Sequence, residues 1–343
     1  MHTIPVIILS GFLGSGKTTL LLRLLAEAEE RGLRPAVLMN ELGKLDMDGH
    51  MLGQRSPGLT LEKLLDGCIC CDKKEEVAAS LLQLAARQPD VVLIELTGVA
   101  NPEEVADCLT EPALRGTLTL QLIVTVLDAE HVREYNSIFA SDRELVHTLR
   151  RQMEVADRIL VNKCDLVPAA EQAKIEKAIR KQNPAAPIRF TIQSRYEEPF
   201  LHDIPANSRQ QQSGAQPAFR VLSGSGASHL RHHSHPPESK QPAAAETQTR
   251  SFSRLQTITL PQSGNLDRGQ IERFLKQRPT NLLRAKGYVS LRDQPGVWLV
   301  QWAGKRLYWE PSTYDGDTYL VLIGTELDAD ALRSEWTKLS GRP

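Results

Sequence analysis

Short, continuous apolar runs recur along the first part of the chain, and segments with helical periodicity separate them. The runs are Val6–Leu9, Ala36–Met39, Val91–Ile94, Leu122–Leu127, Ile159–Val161 and Ile188–Phe190. Runs of this kind that alternate with amphipathic helices are typical of a parallel sheet covered by helices on both faces. The segment Thr18–Arg31 is the clearest helix, because leucines recur along it and Gly32 follows as a suitable terminator. The pattern predicts an α/β fold with a doubly wound, mostly parallel sheet.

A change of composition divides the chain after residue 205. Residues 206–252 are rich in Ser, Gln, Pro, Ala and His, and such a segment buries too little apolar surface to offset the entropy lost on ordering. We therefore expect a first domain over 1–205, a flexible histidine-containing linker over 206–252, and a small α+β domain over 253–343. The elements predicted there are strands Leu255–Leu260, Tyr288–Leu291, Val297–Trp302, Leu307–Trp309 and Tyr319–Ile323, and helices Asp267–Gln277 and Asp328–Leu339.

Polar residues terminate five of the apolar runs of the first domain. They are Ser10, Asn40 with Glu41, Glu95, Asp128 and Asn162. Ligands of open α/β sheets bind beyond the carboxyl ends of the strands. The chemistry of this chain is therefore expected along one edge of the sheet.

Residues 11–18 fit the phosphate-binding pattern of a glycine, four residues and Gly-Lys-Thr, between an apolar run and a helix. Backbone amides of such a loop surround phosphate oxygens, and the helix that follows adds the positive end of its dipole. We expect Lys17 to reach the outer phosphates and the Thr18 hydroxyl to hold Mg²⁺. The alternative is a glycine-rich turn without a ligand. The expected phosphate-binding residues are Gly11, Gly14, Ser15, Gly16, Lys17, Thr18 and Thr19.

The tetrapeptide Asn162-Lys163-Cys164-Asp165 follows the run Ile159–Val161. In GTPases this pattern reads the base, because the aspartate accepts two hydrogen bonds from guanine and the lysine stem lies along the ring. Adenine offers no such pair of donors. A polar turn after a strand is the alternative. Together with the phosphate loop, Asn162, Lys163 and Asp165 predict GTP as the nucleotide.

The segment Glu95-Leu96-Thr97-Gly98 also follows an apolar run. Its carboxylate can hold Mg²⁺ through water and the Gly98 amide can bond the γ-phosphate, as in phosphoryl-transfer sites. A surface carboxylate on a turn is the alternative. Asp128 is a second candidate for the Mg²⁺ shell, with a simple strand-end cap as its alternative. We expect Lys17, Thr18 and Glu95 to serve catalysis, with slow turnover because no catalytic base is identifiable.

Three cysteines, Cys68, Cys70 and Cys71, lie within four positions and suit a soft or borderline ion such as Zn²⁺, Cu⁺ or Co²⁺. A buried cysteine cluster or a redox pair is the alternative. Glu41 is a further candidate ligand for metal or Mg²⁺, or a residue that positions water. The alternative is an acidic residue on a solvated turn. Four histidines of the linker suit loose binding of Zn²⁺, Ni²⁺ or Co²⁺. They are His229, His232, His233 and His235.

The overall composition narrows the class of protein. A formal net charge of −1 over 343 residues gives no global field for nucleic acid or an anionic membrane. No apolar run approaches the ~20 residues of a membrane span, and the chain enters its first strand without room for a signal peptide. Five cysteines, an odd number, are poor material for a disulfide framework, so a reduced, cytoplasmic location is expected.

Five motifs in this order resemble those of the CobW-type metallochaperone GTPases. They are GFLGSGKTT, NELG, CICC, ELTGVANP and NKCD. The stretch 282–287 also resembles the small C-terminal domain of that family, and a histidine tract before that domain is a family trait. Lys44, where many members carry an acid, departs from the pattern, so of that motif only Glu41 is carried over as a ligand; Leu42 replaces the usual aromatic residue.

The resemblance implies a GTPase that converts GTP and water to GDP and phosphate with Mg²⁺. It also implies a transition metal, most often zinc, held at Cys68, Cys70 and Cys71 and delivered to a client metalloprotein, and it allows a homodimer. Three alternatives stay open: a cobalt chaperone for cobalamin or nitrile hydratase maturation, a metal-storage or sensing module that merely binds GTP, and a P-loop kinase, which the NKCD motif and the cysteines disfavour.

Overall fold

The structure is a computed structural model that describes residues 3–39, 60–63, 74–137, 143–205, 254–278, 281–303 and 306–340. Within these residues the chain forms one sheet of seven strands and a second sheet of five. The first sheet lies in the part of the chain that precedes the histidine-containing segment, and the second lies in the part that follows it.

The first sheet is parallel throughout its described pairings. Its strands are β1 (Ile4–Ser10), β2 (Pro35–Met39), β3 (Thr60–Lys63), β4 (Val91–Glu95), β5 (Leu118–Asp128), β6 (Arg158–Asn162) and β7 (Ile188–Thr191), in the spatial order β3-β2-β4-β1-β5-β6-β7. Every residue of β1, β2 and β4 is buried, as continuous apolar runs require. The predicted fold class is confirmed.

Helices cover both faces of this sheet. They are α1 (Lys17–Glu30), α2 (Lys74–Ala86), α3 (Pro102–Cys108), α4 (Val132–Tyr135), α5 (Arg143–Glu154) and α6 (Ala169–Gln182). Because side chains alternate along a strand, Ile7 of β1 packs with the leucines of α1, whereas Ile8 packs in the cluster that contains residues of α2 and α3. No helix in the described ranges has the length and apolar character needed to cross a membrane.

The second sheet is antiparallel and carries two helices on one face. Its strands are β8 (Leu255–Pro261), β9 (Leu282–Ser290), β10 (Val297–Ala303), β11 (Arg306–Ser312) and β12 (Tyr319–Thr325), in the order β11-β10-β9-β12-β8, with helices α7 (Arg268–Lys276) and α8 (Ala329–Ser340). Phe274 of α7 and Trp336 of α8 meet at 5.2 Å between ring centroids. The indole nitrogen of Trp336 donates to the carbonyl of Pro261 over 2.8 Å, which fixes α8 on the sheet.

Two of the described strands differ most from the sequence-based expectation. The short strand β3 was not predicted, because Glu62 and Lys63 interrupt its apolar character. Strand β9 begins at Leu282 rather than Tyr288. The charged residues Arg284 and Lys286 alternate with buried ones along β9, and they face acidic groups of the first domain, so the apolar run that marks a buried strand is missing.

Helix α3 forms the main contact between the two domains. All seven of its residues are buried. Arg284 of β9 donates to Glu104 of α3 over 2.8 Å and lies 3.9 Å from the Asp107 carboxylate. Lys286 pairs with Glu111; burial opposes the charge of Lys286, but the hydrogen bond and charge of Glu111 outweigh it and raise the lysine pKa. The two domains are therefore joined by partly desolvated ion pairs as well as by apolar packing.

We predict that Arg284→Met destabilises the protein by roughly 3 kcal/mol, because it removes the hydrogen-bonded arginine from the largely buried carboxylate of Glu104. Arg189→Met is the matched control, since Arg189 pairs with Glu198 at 3.1 Å with both side chains more than half exposed. An exposed pair of this kind contributes less than about 1 kcal/mol. Urea unfolding of both variants measures the difference, and equal losses would contradict a structural role for the interface pair.

Candidate functional site

The loop of residues 11–16 joins β1 to α1 at the carboxyl edge of the first sheet. Gly11 and Gly16 have φ angles of 130° and 110°, which favour glycine. A Cβ atom on Gly11 would collide with the Val126 carbonyl of β5, and one on Gly16 with the side-chain amide of Asn162. The loop is thus packed so closely against β5 and β6 that only glycine fits at its two ends.

Lys17, the first residue of α1, is only 6% exposed. Its ammonium group donates to the carbonyl oxygen of Phe12 over 3.0 Å, which closes the loop on itself. The Thr18 hydroxyl donates to Glu95 over 2.8 Å, and Glu95 is the last residue of β4, the strand beside β1. A hydroxyl and a carboxylate in contact at the end of a phosphate loop are oxygen ligands of the kind that Mg²⁺ prefers. The residues expected to hold Mg²⁺ are therefore adjacent.

The turn after β4 lies against the phosphate loop. A Cβ atom on Gly98 would come within 2.5 Å of the Leu13 amide nitrogen, so this close approach requires glycine. The fully buried Gln152 of α5 donates to the carbonyls of Gly98 and Ala100 over 3.2 and 2.9 Å. Sequence reasoning missed Gln152; its signal is a polar residue beside the apolar stripe of an amphipathic helix.

Asn162 ends β6, and its side-chain amide is hydrogen-bonded to protein groups beside the cavity. Its amide nitrogen donates to the carbonyl of Ser15 over 2.9 Å, and its amide oxygen accepts the backbone N–H of Ser194 over 2.8 Å. The Ser194 hydroxyl donates to the carbonyl of Gly16 over 3.0 Å. One side chain thus joins the phosphate loop, the base-reading motif and the turn after β7.

That turn contributes residues which sequence reasoning did not identify. Ile192 and Gln193 line the cavity, and Gln193 and Ser194 both have φ of 53°. Their position in the sequence could have identified them, because they follow the last apolar run and the residues that follow such runs lie at the carboxyl edge of the sheet. Ile192 and Leu166 are large apolar side chains that are 47% and 54% exposed, and both line the cavity. Apolar walls of this kind suit the faces of a nucleobase.

Asp128 is hydrogen-bonded to Lys163, so this carboxylate lies beside the base-reading motif rather than beside the phosphate loop. The Lys163 ammonium donates to it over 2.6 Å, and the amide of Glu130 donates to its other oxygen over 2.9 Å. Burial raises the pKa of Asp128, but the Lys163 hydrogen bond, then the Glu130 amide and the lysine charge, outweigh it and hold the pKa below its ordinary value. The carboxylate is therefore ionised at neutral pH.

These elements enclose a cavity of about 400 Å³. The predicted residues that line it are Gly14, Gly16, Lys17, Thr18, Thr19, Glu95, Gly98, Asn162, Lys163 and Asp165. Gly11 and Ser15 belong to the same loop. The proposed metal ligands Cys68, Cys70, Cys71 and Glu41, and the histidines of the linker, lie outside the described residues. The structure thus brings the phosphate and base motifs together and leaves the metal motif undescribed.

Comparison with known proteins decides the family. The nucleotide-binding domain of the CobW/HypB/UreG family matches residues 5–190, and the cobalamin synthesis protein CobW C-terminal domain matches residues 255–340. The chain belongs to the CobW family. This CobW-family chain is 30% identical to the zinc chaperone CobW of Pseudomonas aeruginosa, over 97% of its own length and 90% of that protein.

Two further comparisons concern a protein from Escherichia coli. The CobW-family chain is 28% identical to the zinc chaperone YjiA of strain K12, with 99% of each chain covered. Among solved structures it matches the Zn(II)-bound YjiA GTPase from E. coli at 20% identity and a TM-score of 0.46, again over 99% of each chain. The sequence similarity to each of the two zinc chaperones covers at least 97% of the chain.

We predict that Asn162→Ala weakens binding of a fluorescent guanine nucleotide by at least about tenfold, because two backbone groups of the cavity wall lose their buried partner. Asn183→Ala is the control. Asn183 is equally buried and donates to the Met153 and Ala156 carbonyls over 2.8 and 2.9 Å. We expect both variants to melt at lower temperature, with loss of nucleotide affinity confined to Asn162→Ala. An equal loss of affinity in both variants would mean that Asn162 acts through global stability.

Proposed function

We propose that this CobW-family chain is a GTP-hydrolysing metallochaperone that binds zinc at Cys68, Cys70 and Cys71 and transfers it to a client metalloprotein. The observation that carries the proposal is the single cavity in which Lys17 and Thr18 of the phosphate loop face the same space as Lys163 and Asp165. The zinc chaperones to which both domains are similar support the metal part of the proposal.

The base side of the cavity favours guanine over adenine. Asp165 supplies a carboxylate that can accept two hydrogen bonds from the edge of guanine, and adenine would leave this acceptor unpaired. Lys163 supplies an aliphatic stem for the face of the ring, and its ammonium is held by Asp128 at 2.6 Å. GTP is therefore the proposed nucleotide.

The phosphate side supplies positioning and charge for hydrolysis. Lys17 stabilises the negative charge that develops on the transferred phosphoryl group, and the Gly98 amide is proposed to bond the γ-phosphate. Thr18 and Glu95 would hold Mg²⁺, which when bound neutralises charge between the phosphates. Among the described residues that line the cavity, the carboxylates are Glu95, bonded to Thr18, and Asp165 on the base side. We therefore expect slow hydrolysis without an activating metal or client.

The zinc part of the proposal rests on the cysteines and on the sheet topology. Three thiolates leave one position of a tetrahedral zinc site open, and Glu41 is the proposed additional ligand. Strand β3 runs parallel to β2 and β4, so it ends at the edge of the sheet where the cavity lies, and Cys68 follows a few residues later in sequence. This order suits a metal site that responds to the nucleotide. Reduced thiols also suit a cytoplasmic location.

We predict that Asp165→Asn lowers GTP affinity at least about tenfold while xanthosine triphosphate binds as well as or better than before. The asparagine amide cannot accept both hydrogen bonds from guanine, but its N–H group can donate a hydrogen bond to the xanthine oxygen. Competition titrations with GTP, xanthosine triphosphate and ATP measure this change. Equal affinity of the unmodified protein for GTP and ATP would refute guanine recognition altogether.

We also predict that zinc and nucleotide alter each other's affinity by the same factor, because linkage between two binding equilibria is reciprocal. Zn²⁺ should be held about 5- to 150-fold more tightly with a non-hydrolysable GTP analogue than with GDP. Titration against a chromophoric zinc chelator measures both states. Replacing Cys70 and Cys71 with Ala should abolish tight binding and its nucleotide dependence, whereas Cys108→Ala, at a buried position in the core, should preserve both.

A single-turnover GTP hydrolysis experiment distinguishes a metallochaperone from a metal-storage protein. A store that merely contains nucleotide requires no metal-dependent turnover, whereas a delivery cycle predicts that Zn²⁺ changes the hydrolysis rate, with Lys17→Ala as the inactive control. Zinc affinities that are identical in both nucleotide states would eliminate the delivery cycle. Metal analysis of the protein purified from its native host distinguishes zinc from cobalt handling.

A further inference from the structure

Asp128 and Lys163 lie close together because of the register between two neighbouring strands, β5 and β6. Asp128 ends β5 and pairs with Asn162, the last residue of β6, and Lys163 comes next in the chain. Lys163 has a φ of 61°, in the left-handed region that a residue with a side chain adopts at a cost. The hydrogen bond that holds the lysine side chain in one direction therefore offsets part of the cost of this backbone conformation.

The Asp128 carboxylate is itself fixed on several sides. One oxygen accepts the Glu130 amide over 2.9 Å, and the other lies 2.6 Å from the Lys163 ammonium and 3.4 Å from Nδ1 of His131. Its side chain is 8% exposed, against 34% for Lys163. The acid is the more buried group and also accepts the Glu130 amide, so it restricts the direction of the lysine side chain.

An aromatic stack connects this pair to the phosphate loop. His131 stacks on Tyr135 at 5.5 Å, and Tyr135 contacts Phe12 at 4.8 Å, both measured between ring centroids. The Phe12 carbonyl accepts the Lys17 ammonium. The Asp128 carboxylate is thus connected through His131 and Tyr135 to Phe12 in the proposed phosphate loop.

A metal ion is the competing interpretation of these groups. Asp128, Glu130 and His131 can bring three ligand atoms within 4.8 Å of one another. The Lys163 ammonium already bonds Asp128, and a metal ion there would have to displace that cation or share the carboxylate with it. The observed pairing favours an anchor for lysine.

We propose that Asp128 is a positioning residue for nucleotide recognition: it holds the Lys163 stem over the face of the base and thereby sets affinity for the purine ring, without reading the base edge. This inference rests on the proposed guanine-binding function and assigns a role to a residue outside the base-reading tetrapeptide. Because the edge is read by Asp165, the two carboxylates affect different properties of the bound base.

Fluorescence titration of the full-length protein with GDP and inosine diphosphate, which lacks the exocyclic amino group, tests the assignment. Asp128→Asn should weaken both nucleotides by the same factor, about tenfold, as expected for loss of a charge-assisted hydrogen bond. The same substitution should have little further effect in a Lys163→Met background, because the carboxylate acts only through that lysine. Preferential loss of GDP binding, or additive effects of the two substitutions, would overturn the inference.

Asp90→Asn is the matched control. Asp90 is a buried carboxylate at the amino-terminal side of β4 that accepts the Arg34 amide over 2.7 Å. We expect it to change thermal stability without changing the nucleotide dissociation constants. Unchanged GDP affinity in Asp128→Asn, or a loss of bound Zn²⁺ from that variant, would also overturn the inference. Equal affinity of the unmodified protein for GDP and ADP would instead contradict guanine recognition itself.

Discussion

The side-chain amide of Asn162 is the interaction on which the nucleotide cavity depends. It joins three segments that are distant in sequence, because it donates to Ser15 in the phosphate loop and accepts from Ser194 after β7, while Asn162 itself ends β6. The amide occupies the space that a side chain on Gly16 would need, so the glycine and the asparagine require each other. A hydrogen bond from the Ser194 hydroxyl to the Gly16 carbonyl closes the ring of contacts. The phosphate and base sides are consequently held together by hydrogen bonds within the protein itself.

The location of this unit could be predicted from the sequence because a parallel sheet orders its chemistry in a simple way. Continuous apolar runs identify buried parallel strands, and the residues that end them must meet at one edge. The neighbouring strands β4, β1, β5 and β6 do carry Glu95, the phosphate loop, Asp128 and Asn162 at that edge. Local pattern therefore sufficed for the fold class, for most strand positions and for the residues of the phosphate and base-reading motifs that line the cavity.

Local pattern could not reveal which polar groups serve one another. The lysine partner of Asp128, the contact of Gln152 with the Gly98 carbonyl and the contribution of Ile192 to the cavity all depend on packing between distant segments. The same limitation explains strand β9. Its Arg284 and Lys286 look solvent-exposed in sequence, and they are partly buried only because α3 presents Glu104 and the chain after α3 presents Glu111. Polarity in a sequence indicates solvent only when no partner domain supplies the opposite charge.

Helix α3 connects these two observations. Gln152 holds the turn that precedes α3 through the carbonyls of Gly98 and Ala100. Two acidic residues of α3 pair with different domains. Glu103 lies 3.4 Å from Arg151 of α5, and Glu104 accepts a hydrogen bond from Arg284 of β9. Burial raises the pKa of Glu103, and the charge of the nearby Arg151 opposes this shift. Separating a buried carboxylate from its cation costs about 3–5 kcal/mol. A displacement of the turn beside the phosphate loop would incur that cost in both domains unless the second sheet moved with it. The segment from Gly98 to Cys108 therefore joins the wall of the cavity to the second domain through hydrogen bonds and ion pairs.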